Sequence, residues 1–265
     1  MDGDVDIAHV AALLGEPSRA RMLLVLADGR ALPASVLARE AGVAPSTASE
    51  HLGRLVEARL LGVESWGRHR YYRLAGPEVA SAVEALARLA PIASARSLRG
   101  SDRLRALRQA RTCYDHLAGR LGVALMESLL RGDLLTGGDG CFHPEASLRD
   151  RLSAPGRDVD YRLTADGEQR LRRFGVDARP GGKTLAVRYC VDWSEQRHHL
   201  GGGLGAALLS RLLALDWVRR APHGRALTVT PDGWRGLEGA FGVRAGGDGG
   251  AEPVGAGAGV TRRGM

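Results

Sequence analysis

The chain has 265 residues, 44% of them hydrophobic, which is enough for two or three small cores and ordinary for a globular protein. No apolar run nears the roughly 18 residues of a membrane span. The acidic start MDGDVDIAHV lacks both stretches of a secretory leader, so no membrane partner and a cytoplasmic location are expected. The formal charge is +7, yet residues 1–100 hold 12 Arg against 11 acidic groups, so nucleic-acid binding must be argued from where the cations sit. The three cysteines, Cys113, Cys141 and Cys190, form no disulfide framework and read as reduced thiols.

Helical spacing begins at Asp6–Leu14, and Gly15 and Pro17 break it. Ser18 is the expected cap of a helix over Arg19–Leu26, followed by an Asp28-Gly29 turn. A short helix over Ala34–Glu40, a turn at Gly42 and a longer helix over Ala44–Glu57 come next. Leu61–Ser65 and Arg70–Leu74 read as a hairpin around Trp66-Gly67-Arg68. Glu78–Leu89 is amphipathic, with Ala80, Val83, Leu86 and Leu89 on one face. Residues 92–112 are polar and Arg-rich, a linker or a helix, and Gly246–Met265 is Gly-rich and expected to be disordered.

The helix–Gly-turn–helix unit is the arrangement that sets its second helix into a major groove, and the hairpin is its wing. Leu37, Val43, Ala48, Leu52 and Leu55 have the spacing of a buried face. That leaves Ser46, Thr47, Ser49, Glu50, His51 and Arg54, with Pro45 at the helix start, for solvent or DNA. Small residues let the helix approach the groove, its first amides can hold phosphate, and Arg54 can reach a phosphate or a guanine edge. The wing offers Arg68, His69 and Arg70. The bland alternative is that the hydroxyls cap a helix and the wing is a solvated turn.

Residues 11–75, about a quarter of the chain, resemble the ArsR family of bacterial winged-helix repressors in LGEPSRARMLLVL, LAREAGVAPSTASEHLGRL and GRHRYYRL. The resemblance implies a homodimer built on the first helix and the helix at 78–90, binding double-stranded DNA, with repression relieved by an inducer. Metal-sensing members carry Cys in the helix before the turn, or His and Asp in the last helix. Ala34–Glu40 and Glu78–Leu89 contain neither Cys nor His, so sensing at those places is not expected.

Beyond residue 112 the chain repeats itself. Cys113-Tyr-Asp115-His116 parallels Cys190-Val-Asp192 with His198-His199, and ALMESLLRGDLL parallels ALLSRLLALDWV. Leu163-Thr164-Ala-Asp-Gly167 parallels Val229-Thr230-Pro-Asp-Gly233, and both copies end in Phe-Gly-Val. Cys113, Asp115, His116, Cys190, Asp192, His198 and His199 are therefore candidates for an effector or redox centre. A soft metal is an alternative, and no cofactor is firmly implied. Equally open is a structural reading, with the cysteines in a core, the aspartates as caps and the histidines in a satisfied network. Gly201–Gly205 resembles a phosphate loop, but no clear strand precedes it. No G-x-S-x-G, Walker loop or H-E-x-x-H appears, so no enzyme is expected.

The expected fold is mainly α with small β-hairpins, of α+β class, with a winged helix-turn-helix followed by two winged-helix-like modules. Its expected parts are 1–92 for DNA binding and dimerisation, 93–112 as linker or helix, 113–245 as a duplicated effector or interaction region (repeats 113–178 and 190–245), and a tail at 246–265. The expected function is a sequence-specific DNA-binding transcriptional regulator, a repressor released by a small-molecule or redox effector. The alternative is a constitutive architectural or protein-interaction module.

Overall fold

The computed structural model describes residues 6–67, 69–89, 98–150, 155–222 and 224–245. The expected tail at 246–265 and the wing residue Arg68 lie outside them.

The first part opens with α1 (Ile7–Leu14), capped by the Asp6 carboxylate, which accepts from the His9 amide at 3.0 Å. Helix α2 spans Pro17–Leu26, so it starts two residues before the expected point. Its cap is Glu16, accepting from the Ser18 and Arg19 amides at 3.0 and 2.7 Å, and not Ser18. The reason is Pro17: a proline at the first helical position has its φ already set and no amide to satisfy. After β1 (Leu32–Pro33), helix α3 (Ala34–Ala41) ends on Gly42 in the left-handed conformation, and α4 runs Pro45–Glu57. Strands β2 (Leu61–Trp66) and β3 (His69–Leu74) form the hairpin, and β1 adds to β3 through Leu32↔Tyr72. Helix α5 covers Pro77–Leu89.

Met22, Leu26, Leu37, Ala48, Leu52, Leu55, Tyr72, Leu74, Ala80 and Val83 make one apolar core. Each large side chain buried there contributes about 1.5–3 kcal/mol. The expected inner face of α4 is thereby the observed one, with Val43 at its margin.

Residues 98–109, read as linker or helix, form α6 (Leu98–Gln109). The remainder has the order hairpin, helix, strand pair, helix, twice. The first run is β4 (Arg111–Cys113), β5 (His116–Ala118), α7 (Gly119–Arg131), β6 (Leu135–Thr136), β7 (Arg162–Leu163) and α8 (Ala165–Phe174). The second is β8 (Arg188–Val191), β9 (His198–Gly201), α9 (Gly202–Ala214), β10 (Val218–Arg220), β11 (Leu227–Val229) and α10 (Pro231–Phe241). A strand, β9, does precede the Gly201–Gly205 run, contrary to the sequence expectation. The repeated Thr-x-x-Gly is a helix cap in both runs: Thr164 and Thr230 accept from the Gly167 and Gly233 amides at 3.0 and 2.9 Å. Both runs share one core that includes Leu121, Leu125, Met126, Leu204, Leu208 and Leu212.

The two runs cross over each other. Gly122 of α7 lies under Leu117 and against His199 of the other hairpin; Gly205 of α9 lies under Leu200 and against His116. A Cβ at either glycine would stand 2.5 Å from the respective carbonyl oxygen. A second crossing is ionic. Arg111 reaches Asp192 with two bonds of 2.8 Å, and the two side chains are 2% and 0% exposed.

Two outcomes follow for stability. Arg111→Ala leaves the Asp192 charge buried without its cation, and denaturant unfolding should show a loss of about 3–5 kcal/mol. Gly122→Ala and Gly205→Ala should each lose about 1–3 kcal/mol through overpacking. Gly53→Ala, where the new methyl meets nothing within 4 Å, should gain about 0.5–1 kcal/mol by the same assay.

Candidate functional site

Helix α4 and the hairpin after it present the first group of side chains. Pro45, Ser46, Ser49, Glu50 and Arg54 are exposed, and Thr47 is half-buried. No side chain caps α4, so its first amides face outward unpaired by a cap. Arg54 lies 2.6 Å from Glu50 one turn back, an exposed pair of little energetic weight that a phosphate can displace. His51 departs from the expectation of a solvent-facing residue. Its side chain is 14% exposed, 3.7 Å from Glu16 and 3.3 Å from Arg19, whose guanidinium also binds the Leu13 and Ala12 carbonyls. The helix turn that brings Leu52 inward carries His51 to the α2 side with it. On the wing, His69 and Arg70 are exposed, with Arg70 placed over Tyr72 at 5.7 Å. Trp66 at the hairpin tip is 82% exposed; sequence reading missed it, although it sat in the predicted turn.

The second group gathers where the two crossed runs meet. Cross-strand pairing puts Cys113 beside His116 and Cys190 beside His199. One donor atom from each of these four lies within 4.8 Å of the others. The two imidazoles stand 5.3 Å apart. A carboxylate lies behind each: Asp115 is 3.0 Å from His116 Nδ1, and Asp192 is 3.5 Å from His199 Nδ1. These two aspartates occupy the same position, two residues after the cysteine of their run. His116 Nε2 and both ring nitrogens of His199 have no hydrogen-bond partner among the described residues, and both side chains are buried. Gly201 lies against the centre, since a Cβ there would stand 3.4 Å from His116 Nε2 and 3.5 Å from Cys190 Sγ.

Electrostatics follow from burial. The neighbouring Cys190 thiol and desolvation push the Cys113 thiol well above its ordinary value. Burial pulls His199 down to about 3, which leaves a neutral imidazole. Burial would raise Asp192, but the Arg111 guanidinium outweighs it and holds the carboxyl below the usual carboxylate range.

His198 is not part of this group. Adjacent strand residues face opposite ways, and it points to Tyr161, whose hydroxyl is 2.8 Å from its Nδ1, under the Tyr189 ring at 4.3 Å. Sequence reading also missed Arg111. Its signal was the repeated Arg-x-Cys-x-Asp at 111–115 and 188–192. Asp139, Cys141 and His143 form another, exposed grouping, with His143 bound to Asp139 at 2.7 Å.

The Cys113–His116 hairpin touches the first part directly. The Tyr114 amide donates to the Ala27 carbonyl at the end of α2 at 2.9 Å, and Gly29 packs against Tyr114. Nearby, Arg30 binds the Gly224 carbonyl at 3.0 Å, and buried Glu84 of α5 pairs with half-buried Arg225. A cavity of about 290 Å³ lies between Ala80, Ser81 and Glu84 of α5 and Cys113, His116 and Cys190.

Among the described residues, no helix is long and apolar enough to cross a membrane. Residues 14–64 match a helix-turn-helix domain family. Among solved structures, a homodimeric winged helix-turn-helix DNA-binding domain from Mycobacterium bovis, titled a possible ArsR-family transcriptional regulator, is 30% identical, with 34% of this chain and 88% of that one covered and a TM-score of 0.29. The transcriptional repressor BigR from Xylella fastidiosa is 24% identical, with 33% and 88% covered and a TM-score of 0.31. Over 230 residues, 86% of this chain and 93% of the relative, the sequence is 40% identical to a Bacillus subtilis (strain 168) protein described as the uncharacterized HTH-type transcriptional regulator YdfF. With that identity over most of both lengths, the chain belongs to the HTH-type transcriptional regulators.

Proposed function

We propose that the protein is a homodimeric, sequence-specific repressor of ArsR type, released from its operator by an effector sensed in the C-terminal region. Residues 113–178 and 190–245 act as a duplicated module for that purpose, and the recurring element order and shared cap motifs support this division. The observation that carries the reading is the bond from the Tyr114 amide to the Ala27 carbonyl. It joins the turn between Cys113 and His116 to α2, the helix on which α3 and α4 pack. A change at the Cys/His centre is thereby delivered to the part that reads DNA.

In this reading α4 enters the major groove. Its free amides with Pro45, Ser46, Thr47 and Ser49 hold phosphate, and Arg54 reaches a base edge or a phosphate. Arg68, His69 and Arg70 of the wing contact the backbone alongside. Ile7, Val10 and Leu86 leave apolar surface exposed on α1 and α5, the helices the ArsR resemblance assigns to the dimer, and exposed Leu24 of α2 lines the same hollow as Leu86.

DNA recognition is tested with a duplex selected by the protein from a random library. Arg54→Ala and Arg70→Ala should each weaken binding by about 1–3 kcal/mol in a gel-shift titration, and unchanged affinity in both would overturn the placement of helix and wing. The dimer is tested by native mass spectrometry of the double variant Leu24→Glu/Leu86→Glu, which should run as a monomer. A dimer that survives both charges assigns self-association to another surface.

A further inference from the structure

We infer that Cys113, His116, Cys190 and His199 bind one thiophilic divalent cation, of the class of Zn²⁺, and that this cation is the effector; the second clause rests on the proposed function above. Neither helix in which the ArsR resemblance would place a sensor takes part.

Four arguments converge. The donor set is two sulfurs and two imidazoles, the composition of a closed tetrahedral zinc site. The donor atoms already lie within 4.8 Å of one another, although they come from two hairpins about 80 positions apart in the chain. Two buried imidazoles carry Nε2 atoms with no hydrogen-bond partner among the described residues, an arrangement that costs free energy unless something accepts those lone pairs. The Asp115 carboxylate is hydrogen-bonded to His116 Nδ1, as the outer partner that orients a metal-bound histidine and sets its tautomer, and Asp192 stands 3.5 Å from His199 Nδ1.

Charge selects the cation. Two thiolates balance a dication to zero, whereas a monovalent ion would leave a buried negative charge. The reaction involves no electron transfer. Each thiol gives its proton to solvent as its sulfur–metal bond forms, and His116, if charged, gives up its extra proton as well, so two or three protons leave per ion bound. All four positions are filled by the protein, so the ion has no open place for a reacting molecule. Its effect is mechanical: it clamps hairpin β4–β5 to hairpin β8–β9, and the turn of the first is the one bonded to Ala27. The 290 Å³ cavity alongside Cys113, His116 and Cys190 offers an entry route.

The test uses the full chain, stripped with a chelator and kept reduced. Co²⁺ is titrated first as a spectroscopic probe. One equivalent should bring up the visible bands of tetrahedral cobalt and thiolate-to-cobalt charge transfer, and Zn²⁺ should abolish both. Peptide mapping of alkylated wild-type protein should show that Zn²⁺ protects Cys113 and Cys190 while Cys141 keeps reacting. That measurement needs no variant to fold. Cys113→Ser and Cys190→Ser should each lose the charge-transfer band of one thiolate, and Cys141→Ser should lose nothing. No uptake of either ion by reduced protein, or protection of Cys141 in place of the other two, overturns the site. Zn²⁺ should change affinity for the selected duplex by about 5–150-fold. Metal binding without that change removes the effector role and leaves the centre standing. Release from DNA by another small molecule, with no metal taken up, removes the metal and leaves the proposed function standing.

Discussion

Asp192 sits out of contact with water and receives two hydrogen bonds from Arg111, one from the Gly119 amide at the start of α7, and further ones from Ser194. A buried carboxylate is tolerable only when so fully paired. Its partners come from β4, from α7 and from the loop before β9, so this one charge fixes how the two crossed runs meet. Arg111 is held in turn by the Leu107 carbonyl and by the Trp193 ring at 4.7 Å. Asp192 also lies 3.5 Å from His199 Nδ1, so the ion pair that joins the runs stands beside the Cys/His centre as well.

The centre and the winged helix are neighbours through ordinary packing. A glycine at the end of α2 lets the Cys113–His116 turn come close, and one backbone hydrogen bond closes the gap. Glu84 with Arg225, and Arg30 with the Gly224 carbonyl, fasten the same junction at other points. Polar groups buried at such a boundary add geometry more than stability, since each must be paired to be there at all. The partners at this boundary cannot slide without leaving a charge unpaired.

Much of the first part was legible locally. The α4 face, the Gly42 turn and the hairpin are written in apolar spacing and turn chemistry, which act over a few residues. The misreadings were also local contests. Pro17 started a helix where it read as a breaker, so the cap moved to Glu16. His51 turned inward because Glu16 and Arg19 waited on α2. In the C-terminal region the repeated Cys, Asp and His types marked the right segments. They did not separate His198 from His199, since strand alternation decides that only once the register is fixed.

The sequence by itself determined the helices of the first part, the wing hairpin, the helix-turn-helix and the set of donors from which a centre could be built. Those depend on periodicity and on which residues tolerate a cap or a turn. Only the tertiary structure decided that Cys113 and His116 converge with Cys190 and His199, that Arg111 finds Asp192, and that Tyr114 docks on α2. Each of these joins residues some 80 or more positions apart, and each is set by which buried charge must be paired and which glycine admits a close approach. The winged helix could be read from its own stretch of chain, whereas the centre that adjoins it exists only where two hairpins meet.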